Sequence, residues 1–188
     1  MTFHVEHFKF KYKYMDLEQV RNSIRNIPDY PKPGIHFKDV STAYQNSEVF
    51  SFIALTIYDK YKELGITKVV GIESRGFIMG GVLANKLNAG FIPIRKPGKL
   101  PAKTYSQSYE LEYGFDTLEI HQDALLKDDI VLIHDDLLAT GGTVSAAIDL
   151  ISRFGISKIY ANFFIELDFL HGINKINKSV PVWSLIHF

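Results

Sequence analysis

Apolar positions along the chain fall first into helical spacing and then into unbroken runs. Leu17, Val20, Ile24 and Ile27 recur at three- and four-residue intervals, which predicts an amphipathic helix over residues 16–27. The stretch Pro28-Asp-Tyr-Pro-Lys-Pro-Gly34 ends it in a turn-rich loop. A second helix is expected over residues 47–64, with Ser47 as N-cap, Val49, Ile53, Thr56, Ile57 and Leu64 as its buried stripe, and Gly65 as its stop. Two strand–loop–helix–strand units follow. Residues 68–72 and 91–95 read as strands around a helix at 77–87, and residues 130–134 and 158–165 as strands around a helix at 143–154. Strands that are apolar throughout, alternating with helices, indicate an α/β fold: a parallel sheet with helices on both faces and right-handed crossovers. Ligands of such sheets sit at the carboxyl ends of the strands. Between the units, residues 97–117 are polar, rich in tyrosine and carry Gly98, Pro101 and Gly114. That length suits a functional flap better than an idle connection.

Residues 1–14 differ from the rest. Phe8, Phe10, Tyr12 and Tyr14 alternate with Lys9, Lys11 and Lys13, a period that fits an extra edge strand or hairpin, while a disordered leader or a single-strand nucleic-acid platform stays open. Met15 stands directly before the first helix, so residues 1–15 are expected as an extension to one domain over residues 16–188. The 21 basic and 21 acidic residues cancel, so bulk charge favours neither nucleic acid nor an anionic membrane, and any anion site must be local. With no cysteine, disulfides, thiolate catalysis and Cys-ligated metals are excluded. No apolar run approaches the ~20 residues of a membrane span, and the N-terminus lacks a signal peptide's apolar core, so a cytoplasmic location is expected.

One segment decides the chemistry: Ile130-Val-Leu-Ile-His-Asp-Asp-Leu-Leu-Ala-Thr-Gly-Gly-Thr143. A strand delivers two adjacent carboxylates, and a glycine turn then opens a helix. Thr140, Gly141, Gly142 and Thr143 offer hydroxyls and open backbone N–H groups at a positive helix N-terminus, a phosphate cradle made without lysine. The loop has neither the Gly-Lys-Ser/Thr ending of a triphosphate P-loop nor a G-x-G-x-x-G. Carboxylates beside such a cradle make sense only against something electropositive or hydroxylated: ribose hydroxyls, a developing ribosyl cation, or Mg²⁺ and its waters.

This segment resembles the motif by which type I phosphoribosyltransferases bind 5-phosphoribosyl 1-pyrophosphate (PRPP), and its wording Asp-Asp-Leu-Leu-Ala-Thr-Gly-Gly-Thr is similar to their adenine-specific branch. The resemblance runs from about residue 16 to the C-terminus. It implies the family's parallel sheet with a small hood and a flexible lid loop. It places the 5′-phosphate on Ala139, Thr140, Gly141, Gly142 and Thr143, and turns Asp135 and Asp136 toward the ribose and, directly or through water, the metal. Mg²⁺ would be chelated mainly by PRPP, so no certain protein ligand is expected. Glu73-Ser-Arg-Gly-Phe77 matches the family's pyrophosphate loop, with Arg75 on PRPP and a strained or cis peptide at Glu73–Ser74. Gly76 would permit close backbone approach at the helix start. In Arg95-Lys-Pro-Gly-Lys-Leu-Pro101 the match gives Lys96 a pyrophosphate role, and Arg95 would share the same sheet rim.

Ser106-Gln-Ser-Tyr-Glu-Leu-Glu-Tyr-Gly114 resembles the flexible catalytic loop, with Glu112 on the family's catalytic glutamate and Tyr113 beside it. Gly34-Ile-His-Phe-Lys-Asp39 resembles the hood: Phe37 would stack on the adenine, with His36 and Lys38 beside it, where the family usually has an aliphatic residue and an arginine. His134 also replaces a usual aliphatic residue. Alternation puts it on the face opposite Asp135, as a hydrogen-bonded core histidine. The seven histidines show no metal-ligand spacing, and Trp183 is expected in the core.

The implied activity is transfer of the phosphoribosyl group of PRPP to adenine, giving AMP and pyrophosphate, by a homodimer that binds no nucleic acid. The same chemistry on hypoxanthine, guanine or xanthine is the near alternative. A PRPP-sensing nucleic-acid-binding regulator is the remote one. Such a regulator would carry an added DNA-binding domain and a basic face.

Overall fold

The computed structural model describes residues 15–110 and 114–188, so the reading of residues 1–14 lies outside the described residues. The chain divides into two compact units, one ending at Thr56 and the other spanning Ile57–Phe188.

In the first unit, Asp16 caps helix α1 (Leu17–Asn22) by a capping box: its carboxylate accepts from the Gln19 N–H at 2.8 Å and its own N–H donates to the Gln19 side chain at 2.9 Å. The helix is shorter than the apolar spacing predicts. The Ser23 hydroxyl donates to the Val20 carbonyl, and the chain then enters strand β1 (Arg25–Pro28), which pairs antiparallel with β2 (His36–Asp39). Ile27 keeps its apolar position on the extended strand, while Ile24 is buried at the bend before it. Arg25 and Asp39 close the hairpin by an ion pair, and hydrogen bonds from Ser41 and then Arg25 lower the Asp39 carboxyl to about 2. Helix α2 (Ser41–Gln45) follows. Helix α3 (Ser47–Tyr61) is capped by Asn46 rather than Ser47, since the Asn46 side chain accepts from the Glu48 and Val49 N–H groups. Val49, Ile53 and Ile57 are buried as expected, Thr56 is half-buried, and Leu64, beyond the helix end, is exposed.

The second unit holds five parallel strands: β3 (Lys68–Ile72), β4 (Gly90–Ile94), β7 (Ile130–Leu138), β8 (Lys158–Glu166) and β9 (Val182–His187), in the order β4-β3-β7-β8-β9. Helix α4 (Gly76–Leu87) covers the face of β3 that Gly71 presents. A Cβ on Gly71 would meet the Phe91 ring at 2.8 Å and the Gly76 carbonyl at 3.1 Å. Val70, Ile72, Val131 and Ile133 point the other way into the main core, with Val144, Ala147, Ile148 and Ile151 of helix α5 (Gly142–Ser152). Helices therefore lie on both faces. β9 is a strand that sequence pattern missed, and Trp183 on it is half-buried rather than core, its ring edge-on to Tyr61.

Two differences bear on the site. β7 runs four residues past the expected end, because Asp135, Leu137 and Leu138 continue the ladder against Phe163, Ile165 and Glu166. Much of residues 97–117 is not loop: β5 (Thr104–Glu110) and β6 (Phe115–His121) form an antiparallel ribbon. Its Tyr105, Tyr109, Leu118 and Ile120 pack onto the main core, which a polar composition concealed. Among the described residues no helix is long and apolar enough to cross a membrane.

Candidate active site

The carboxyl ends of β3 and β7 lie side by side where the sheet order reverses, and the loops that leave them frame a cavity of about 200 Å³. Arg75, Asp135, Asp136, Ala139, Thr140, Gly141 and Thr143 line it together, with Phe163 and Val144 as apolar wall. Gly142 does not line the cavity. A Cβ on it would meet the Glu110 carbonyl oxygen and the Tyr109 ring, each at 3.4 Å.

Local backbone geometry explains how two loops come so close. The Glu73–Ser74 peptide bond is cis, as the resemblance implied. Helix α4 then starts at Gly76, where a Cβ would stand 2.7 Å from the His134 carbonyl oxygen and 3.0 Å from Asp135 Oδ1. Any side chain at residue 76 would clash with the β7 backbone at His134 and Asp135. Gly141, at φ +80, starts helix α5 from a left-handed conformation that glycine adopts without penalty. It also touches backbone: a Cβ there would lie 2.2 Å from the Gly172 carbonyl oxygen.

The acidic pair is electrostatically unusual. Asp136 is buried, and Arg75 Nε stands 3.0 Å from its Oδ2, an ion pair without the alignment of a hydrogen bond. Asp135 Oδ1 accepts from the Asp136 N–H at 2.9 Å. Burial, followed by the neighbouring charge of Asp136, raises the Asp135 carboxyl well above the usual carboxylate range. Burial also raises Asp136, with Arg75 opposing. Two carboxyl groups that fold into a place hostile to their charge mark a functional site. A cation or a set of hydroxyls in the cavity would relieve that cost.

The three cations expected at the rim each have a carboxylate partner. Arg75 pairs with Asp136. Arg95 Nη2 reaches Glu73 Oε1 at 3.2 Å, so Arg95 holds the loop instead of standing open to a ligand. Glu73 also accepts from the Lys96 N–H at 2.7 Å. Burial alone would raise its carboxyl, but that bond and Arg95 leave it lowered. The Lys96 ammonium pairs with Asp116 on β6, and Asp116 accepts from the Tyr109 hydroxyl.

His134 is fully buried, and its Nδ1 hydrogen-bonds Asn162 Oδ1 at 2.8 Å. Burial lowers its pKa to about 4, against the hydrogen bond, so it is a neutral core residue rather than a proton carrier at neutral pH. His36, Phe37 and Lys38 lie on β2 in the first unit, where Phe37 packs edge-on to Tyr30 and Lys38 Nζ donates to Asn26. Glu112 and Tyr113 lie outside the described residues.

Sequence reasoning missed Tyr109, Asp116 and Gly172. The period-two spacing of Tyr105, Gln107 and Tyr109 was the available sign of a ribbon that would aim Tyr109 inward. Also unforeseen are Glu166, Asp168 and His187, whose ligand atoms lie within 4.8 Å of one another because Glu166 pairs with His187 across β8 and β9.

Residues 41–177 match the phosphoribosyl transferase domain family. The chain is 58% identical over 174 residues to an adenine phosphoribosyltransferase of Bacteroides fragilis, covering 92% of this chain and 98% of that one. Among solved structures it is similar to the adenine phosphoribosyltransferase of Rhodothermus marinus, at a TM-score of 0.87 and 48% identity over 92% of this chain and 98% of that one. It is likewise similar to APRTase from Giardia lamblia complexed with 9-deazaadenine, at a TM-score of 0.88 and 40% identity over 93% and 98%.

Proposed function

The chain belongs to the phosphoribosyltransferase family, and from that premise we propose that it transfers the phosphoribosyl group of PRPP to adenine, releasing pyrophosphate and forming AMP. The carrying observation is the cavity that joins a lysine-free phosphate cradle to an acidic pair, Asp136 buried and Asp135 half-buried. The match of adenine-specific relatives over nearly their whole length supports adenine as the base and residues 16–188 as one catalytic domain behind a short extension.

Thr140, Gly141, Thr143 and the backbone of Ala139 hold the 5′-phosphate at the positive end of α5. Arg75 and Lys96 take the pyrophosphate, Arg75 as a planar fork and Lys96 as a point charge. Asp135 and Asp136 face the ribose. As pyrophosphate leaves, C1 of the ribose becomes electron-poor, and the N9 lone pair of adenine forms the new bond. Glu112 manages the proton on the imidazole edge of the base, and Tyr113 closes over PRPP beside it. Phe37 stacks on the purine, while His36 and Lys38 flank its edge. The residues present fit Mg²⁺: Asp135 lines the cavity with a carboxyl that burial and the neighbouring Asp136 hold above its usual range, and hard oxygen donors are what this cation takes. Asp135 and Asp136 would hold it directly or through water, and when bound it neutralises charge on the pyrophosphate. A cytoplasmic homodimer is the setting that the family resemblance implies.

The test substitutes Asp135→Asn and Asp136→Asn. Each should lower AMP formation by ~10²–10³-fold, as expected for lost electrostatic stabilisation, with circular dichroism unchanged. Turnover that is unaltered in both would remove the pair from the mechanism.

A further inference from the structure

Lys96 and Thr143 are assigned to opposite ends of PRPP, yet a single carboxylate ties them together. Asp116 pairs with the Lys96 ammonium, which also sits 6.0 Å over the Tyr109 ring. Asp116 Oδ2 accepts from the Tyr109 hydroxyl at 3.1 Å, and that hydroxyl accepts from Thr143 Oγ1 at 3.3 Å. The side chains of Lys96 and Asp116 are 38% and 26% exposed, so water screens the pair only in part. Burial alone would lower the Lys96 ammonium, but the bond it donates to Asp116 leaves it raised. Burial alone would likewise raise Asp116, and Lys96 leaves it lowered.

The other rim carboxylates have further duties. Glu73 holds the backbone of residue 96 as well as Arg95, and Asp136 lines the cavity itself. Among the described residues, Asp116 bonds the Lys96 and Tyr109 side chains and the N–H of its own neighbour Thr117. Its charge therefore acts chiefly on Lys96.

We propose that Asp116 is an internal counter-ion that competes with the pyrophosphate group for Lys96, and so sets the affinity for PRPP and for pyrophosphate. This rests on the reading of Lys96 as a pyrophosphate ligand. An incoming pyrophosphate must displace the carboxylate from the ammonium or share it with a like charge. Either course weakens binding and, for the product, speeds release. Asp116 is a positioning residue, since it acts on the substrate only through Lys96.

The sign of the effect separates this role from a merely structural one. A structural tie, once cut, loosens the ribbon and weakens anion binding. An internal competitor, once removed, strengthens it. Pyrophosphate binding is measured by calorimetry on the full chain, together with KM for PRPP and kcat, for the parent, Asp116→Asn, Lys96→Met and the double variant. Asp116→Asn should bind pyrophosphate about two- to fivefold tighter, the range of a part-exposed ion pair, with a lower KM for PRPP and a kcat that does not rise. Asp116→Glu should restore the parent values, and Asp116→Ser should shift them as Asn does. In the Lys96→Met background, Asp116→Asn should change nothing. Unchanged or weaker binding in Asp116→Asn overturns the proposal, as does an equal gain in both backgrounds. If Lys96→Met alone leaves pyrophosphate affinity intact, the underlying assignment of Lys96 fails first.

Discussion

Gly172→Ala adds one methyl group to a residue that none of the expected chemistry touches. A Cβ at residue 172 would stand 2.1 Å from the Ala139 carbonyl oxygen and 2.9 Å from the Gly141 nitrogen, where real Cβ atoms stay beyond 3.0 Å. All the atoms in the way are backbone, so no side chain can swing aside. Relief requires residues 139–141 to retreat by about 1 Å, and a misplacement of that size can cost ~10²-fold in rate. Overpacking of this kind also costs ~1–3 kcal/mol of stability, which for a domain of this size lowers Tm by roughly 2–10 °C. The assay is kcat/KM for PRPP at saturating adenine, with Tm alongside. Gly81→Ala is the control. Its Cβ would meet nothing within 4 Å, and it should be neutral or stabilising by up to ~1 kcal/mol. If Gly172→Ala keeps the parent kcat/KM and Tm, the phosphate cradle is not held by its backbone contact with residue 172.

Glu112→Gln should lower turnover by ~10²–10⁴-fold, the span of one general acid or base, with PRPP affinity nearly unchanged and Glu110→Gln almost silent. Equal small losses in the two would reduce Glu112 to surface charge. His134 lowers its pKa from 6.5 to about 4 on folding, so the unfolded chain binds the extra proton between those values, and this group's contribution to stability falls as pH drops through that window. Relative to the parent, His134→Gln should show a flatter loss of urea-unfolding free energy there. A parallel loss would assign acid sensitivity to other groups. Deleting residues 1–14 should leave activity within about threefold, under ~1 kcal/mol, and an inactive truncated enzyme would make the extension structural.

What was legible in the sequence was local. Buried parallel strands write themselves as apolar runs, so β3 and the starts of β7 and β8 stand where the pattern puts them. The cradle at 139–143 is contiguous, and a contiguous motif needs no tertiary knowledge. The apolar spacing of residues 17–27 misled because the helix ends at Asn22: Ile24 is buried at a bend, and Ile27 is half-buried on a hairpin strand. β9 is a six-residue strand whose apolar residues Val182, Trp183, Leu185 and Ile186 are broken by Ser184, and no helix pattern before it announces it. Lys96 with Asp116, Gly141 with Gly172 and Glu166 with His187 are 20 or more residues apart. Their partnership is a property of the folded sheet and ribbon, and neither spacing nor composition encodes it.

Incubating the full chain with PRPP, Mg²⁺ and, separately, adenine, hypoxanthine, guanine and xanthine tests the central claim most directly. AMP and pyrophosphate should form in equal amounts from adenine, far faster than any nucleotide forms from the other three bases. Faster turnover of another purine, or no AMP from adenine in a folded protein that still binds PRPP, would contradict the account.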